Sequence, residues 1–90
     1  MFVAVVGEFS QDDHRVAAHE LFKQYGLKQI TVTLFESRTI KENTLARLKH
    51  DIDRVTDYYD IVRFYQYPLE SLFVVTALEK KRWRRVNVRP

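Results

Sequence analysis

The chain contains no cysteine, which excludes a disulfide framework, a zinc–thiolate centre and a thiol nucleophile. It has only two glycines and two prolines in 90 residues, so there is no Gly/Pro-rich linker and no low-complexity tract, and the length suits one domain. Long apolar runs are missing too. The most apolar stretch, Leu72–Ala77, falls far short of a membrane span, and the N-terminus enters a strand pattern without the basic region of a signal peptide. These absences lead to the expectation of a cytoplasmic protein with no membrane partner. What is present suits a packed core: 46% of residues are hydrophobic and 13% aromatic, against disorder. A chain this short buries roughly 60–65% of its unfolded surface, so oligomerisation is a natural supplement to its stability.

Charge is informative by position. Between Glu79 and Pro90 six basic residues face one acid, a local net of +5, which leaves −2 for residues 1–78 out of a total of +3. A basic block of this kind suits an anionic partner, nucleic acid first.

Phe2–Glu8 reads as a strand buried on both faces. Ser10, with Asp12 and Asp13 after it, reads as an N-cap for a helix whose apolar stripe is His14, Ala17, Ala18, Leu21, Phe22 and Tyr25. Gly26 supplies its left-handed stop, with Leu27 folding back. Lys28–Glu36 alternates as a strand, with Ile30, Val32 and Leu34 on one face. Thr39 and Glu42 read as a capping box for a second helix, buried along Leu45, Leu48, Ile52 and Val55. Strands at Asp60–Tyr67, stopped by Pro68, and at Leu72–Leu78 follow, with a short one at Arg85–Arg89. The pattern predicts an α+β fold, a ferredoxin-like βαββαβ sandwich with an extra C-terminal strand. Residues 1–78 form its core and 79–90 a basic segment. The single run at Lys28–Arg38 is short of the two strands that arrangement needs between the helices.

Four segments in order carry a family resemblance: a first strand ending in an acid, "KQYGL" at the end of the first helix, "VTLFES" after it, and "DIVRFYQYP" after the second helix. Over Phe2–Pro68 the chain resembles the small CRISPR-associated adaptation protein of the Cas-two family. The resemblance implies a ferredoxin-like homodimer whose C-terminal strands reach the partner's sheet, which resolves the missing strand because the family's middle segment bends into two. It implies a dimer that binds double-stranded DNA and bridges Cas-one integrase subunits in spacer acquisition, and in some members metal-dependent cleavage of RNA or duplex DNA. The family's first-strand acid is Asp after Tyr; here the pair is Gly7-Glu8.

Glu8 is therefore the candidate catalytic residue and metal ligand, for magnesium with manganese as substitute. Without a cation, two such carboxylates facing each other across a two-fold would repel. Candidate nucleic-acid contacts are Ser10 at a helix N-terminus, Arg15, Arg38, and Lys80, Lys81, Arg82, Arg84 and Arg85 in the tail, which can track phosphates. Tyr65, Tyr67, Trp83, Val86 and Val88 are candidates for the dimer interface, Trp83 as an anchor into the partner. His14 keeps apolar company and reads as packed; His19, five residues on, lies off its helical face, against a zinc pair. Two other readings stand beside this one: a toxin-like metal-dependent endoribonuclease, and a ferredoxin-like interaction module that binds no nucleic acid.

Overall fold

The computed structural model describes residues 1–69 and 72–88. Its elements run β1 (Phe2–Glu8), α1 (Asp12–Gln24), β2 (Lys28–Gln29), β3 (Leu34–Ser37), α2 (Glu42–Val55), β4 (Ile61–Leu69), β5 (Leu72–Glu79) and β6 (Arg82–Val88). The strands form one antiparallel sheet in the order β2-β3-β1-β4-β5-β6. The first six elements are βαββαβ, and their strand order is compatible with a ferredoxin-like arrangement. Two strands, not one, then extend the sheet as a meander.

Lys28–Arg38 does bend into two strands. Ile30 and Leu34 close the turn, with the Ile30 N–H donating to the Leu34 carbonyl at 2.8 Å. Ile30 and Val32 therefore lie exposed in this turn and do not share a strand face with Leu34. Pro68 does not stop β4. The strand continues to Leu69, and the ladder with β5 shifts register between Gln66 and Leu69, where proline has no N–H to donate. The last strand begins at Arg82, before the expected Arg85, and Arg89 lies outside the described residues. β6 pairs with β5 of its own chain.

Both helices bury one stripe against the same face of the sheet. Ala18 and Phe22 of α1 and Leu45, Leu48 and Ile52 of α2 meet Val3, Val5, Phe35, Val62, Phe64 and Leu78. Gly26 (φ +87°) ends α1 in a Schellman turn: the Leu27 N–H donates to the Phe22 carbonyl at 2.9 Å and the Gly26 N–H to that of Lys23 at 3.0 Å. His19 is buried among Phe9, Phe22 and Phe35. Burial, with the charges of Arg15 and Lys23, lowers its pKa, so the ring packs as a neutral aromatic. Neither expected cap forms: the N-cap positions are Gln11 and Lys41, without side-chain hydrogen bonds. The hydroxyl of Ser10 is engaged elsewhere.

Candidate functional site

Asp60, fully buried immediately before β4, ties together the β1–α1 loop, α1 and the turn after α2. Its Oδ1 accepts from the Ser10 N–H at 2.8 Å and the Ser10 hydroxyl at 2.9 Å. Its Oδ2 accepts from the Asp57 N–H and from His14 Nδ1, each at 2.8 Å. Burial alone would raise its pKa, but the hydrogen bonds from Ser10, Asp57 and His14 outweigh it and hold the carboxyl below its ordinary value. Since a carboxylate only accepts, the His14 proton facing it sits on Nδ1, and Nε2 is the nitrogen left for other partners. This corrects the reading of His14 as a packed apolar neighbour and of Ser10 as a cap. Nor is it a nucleophile relay, because the Ser10 hydroxyl donates to Asp60 and not to the imidazole.

His14, Asp57 and Asp60 offer ligand atoms within 4.8 Å of one another. The donor set does not suit magnesium, which takes oxygen ligands in near-octahedral geometry: both Asp60 oxygens are already saturated by N–H and O–H donors, and His14 Nδ1 is held by one of them.

Glu8 is not in that group. It is exposed at the end of β1, on the face of the sheet that carries no helix. The register places Glu8, Ile61 and Glu79 side by side on β1, β4 and β5, so a second carboxylate, with no motif to mark it in the sequence, flanks the same row. With Arg63 and Val6 these residues line one shallow depression. A Cβ at Gly7, beside Glu8, would meet the Phe9 ring at 2.6 Å, so any larger residue there needs that ring to move.

The basic segment divides between the two faces of the sheet. Lys80 and Lys81 form the β5–β6 turn with positive φ (53° and 60°). That conformation suits a two-residue hairpin but is strained in a residue with a Cβ. Lys81 is not free for phosphate: its Nζ pairs with Asp53 Oδ1 at 2.7 Å and donates to the carbonyls of Thr56, at 2.9 Å, and of Asp53. Trp83 is likewise spent within the chain, its Nε1–H donating to Asp53 Oδ2 at 2.7 Å and its ring packed near Phe64. The Lys81 hydrogen bond, opposed by burial and aided by Trp83, keeps Asp53 below the usual carboxylate range. Arg82 and Arg84 project from the helix-free face and Arg85 from the other, as their pairing with Glu79, Ala77 and Thr76 dictates. Among the described residues, none of Lys80, Arg82, Arg84 and Arg85 forms an ion pair.

Arg15 pairs with Asp12 at 2.6 Å on the surface of α1. Arg38 follows β3, whose Ser37 pairs with Val3, and so lies at the opposite end of the sheet from Glu8 and Ser10. The five candidate interface residues also separate. Tyr65, Tyr67, Val86 and Val88 share the helix-free face with Val75 and Phe73, whereas Trp83 lies on the helix side.

No protein-family model matches the chain, and no curated protein is found to be similar to it. Among the described residues no helix is long and apolar enough to cross a membrane.

Proposed function

We propose that this protein is a homodimeric binder of double-stranded DNA, acting as the resemblance to the Cas-two family implies: a bridge between Cas-one integrase subunits in spacer acquisition. The observation that carries the reading is the set of cations on the β5–β6 hairpin, Lys80, Arg82, Arg84 and Arg85, which have no acidic partner among the described residues. Cations left unneutralised along one hairpin suit phosphates, whose bound counterions they displace. The helix-free face supplies the dimer contact. Its centre is apolar, at Tyr65, Val75 and Val86, and Glu8, Glu79 and Arg63 beside it give both signs of charge for a self-complementary two-fold interface.

Nuclease chemistry is a second part of the reading. Glu8, with Glu79 in the same row, would hold magnesium or manganese, and a bound divalent ion polarises a phosphate and activates water. The test is incubation of labelled duplex DNA and labelled RNA with wild type and Glu8→Gln, in magnesium, manganese or chelator. The proposal expects duplex to be retained by both proteins, with any cutting metal-dependent and lost in the variant. Cleavage of RNA without retention of duplex would replace it with the endoribonuclease reading.

A further inference from the structure

Away from Glu8, α2 and the outer strands line a half-open cavity of about 170 Å³, room for several heavy atoms at about 30 Å³ per water. Three donor-bearing residues line it from three elements. Lys49 comes from α2, Thr76 from β5 and Arg85 from β6. The Thr76 hydroxyl oxygen is buried and has no hydrogen-bond partner, an uncommon condition that calls for a cause. Lys49 Nζ donates to Gln66 Oε1 at 2.9 Å and stands over the Phe64 ring, 5.5 Å from its centre, but has no carboxylate partner among the described residues. Arg85 donates its Nε–H to Asn87 Oδ1 at 3.1 Å, leaving its terminal nitrogens for other acceptors. Two unpaired cations and an orphan hydroxyl thus share one small space walled by Leu45 and Val74.

We infer that this cavity is a binding site for a small oxyanion, a phosphate or a carboxylate, whose oxygens accept from Lys49, Thr76 and Arg85. Such a ligand answers both anomalies at once. It gives the buried hydroxyl an acceptor, and it neutralises two cations that otherwise repel. Burial, with the nearby Arg85 charge, lowers the Lys49 pKa to about 8, as expected for an ammonium that lacks its counterion. The acid in its lining is Glu42 of α2, and it pairs with neither cation. The site meets the DNA-binding reading at Arg85 alone, and its other donors, Lys49 and Thr76, take no part in that reading.

The test is an NMR titration of the full chain with inorganic phosphate and, separately, with acetate, at ionic strength held constant with chloride. The expected result is saturable shifts at Thr76, Leu45 and Val74 for at least one anion, and an upward move of the Lys49 titration midpoint at saturation. Lys49→Met and Thr76→Val should each weaken the binding about tenfold, the loss of one hydrogen bond to a charged group. Thr76→Val keeps the side chain's shape, so its result stands even if Lys49→Met disturbs the fold. Phosphate and acetate distinguish the two oxyanion classes. Shifts confined to Lys80, Arg82 and Arg84, no saturation with either anion, or unchanged affinity in Thr76→Val would overturn the inference.

Discussion

Asp60→Ala should lower the stability of the fold by about 3–5 kcal/mol, the cost of leaving several buried partners of one charge unmet. At roughly 4–8 °C per kcal/mol for a domain of this size, a thermal melt reads this as a drop of more than about 12 °C. The loss is large because four donors from Ser10, His14 and Asp57 converge on a carboxylate with no exposed surface. Asp60→Asn should recover little. Its amide nitrogen would face N–H donors from one side or the other and cannot accept from them. The pH dependence has a definite sign. The folded-state pKa of Asp60 lies below its ordinary value, so the unfolded chain takes up the proton first. The stabilisation is fully present above the unfolded pKa of 3.8 and is lost as pH falls through the folded one. Wild type should therefore lose stability below pH 3.8 more steeply than Asp60→Asn does. Equal melts for wild type and both variants would remove Asp60 as the junction of the fold.

The second large effect concerns the helix-free face. Val75→Glu should convert a dimer to monomers, weakening association by at least about a hundredfold, because a carboxylate near a two-fold faces its own copy. Val75 lies between Tyr65 and Val86 in the sheet register, at the middle of the apolar surface, so the change falls where an interface would be driest. Val16→Glu, on the exposed side of α1, is the matched control and should leave the mass unchanged. Sedimentation equilibrium decides it. A wild-type monomer at high micromolar concentration, or a Val75→Glu protein that remains dimeric, would contradict the proposed interface.

The helices were legible in the amino-acid sequence because their apolar spacing and the Gly26 stop are local signals. The split of β2 from β3 was not legible from the residues, since the turn from Ile30 to Thr33 contains neither glycine nor proline; it came from the family resemblance. The β5–β6 hairpin was hidden for the same reason, with Lys80-Lys81 standing where Asn-Gly is usual. Ser10 looked like a cap because its competitor, Asp60, is 50 residues away in sequence. Trp83 is a different case. Side chains alternate along a strand, so parity alone separates Trp83 from Val86 and Val88, and its place on the helix side could have been read beforehand. The Lys49 cavity draws on α2, β4, β5 and β6, and no local pattern announces it.

The central claim is that the unpaired cations of the β5–β6 hairpin hold duplex DNA. The direct measurement is fluorescence anisotropy of a labelled duplex across a series of salt concentrations, with wild type and a variant in which Lys80, Arg82, Arg84 and Arg85 are all glutamine. Wild type should bind with log K falling linearly in log salt. The variant should bind far more weakly, with a slope shallower by about 3–4 per protomer, near 0.9 for each phosphate no longer neutralised. Equal affinity and equal slope for the two proteins, or no binding by wild type at low salt, would contradict the claim.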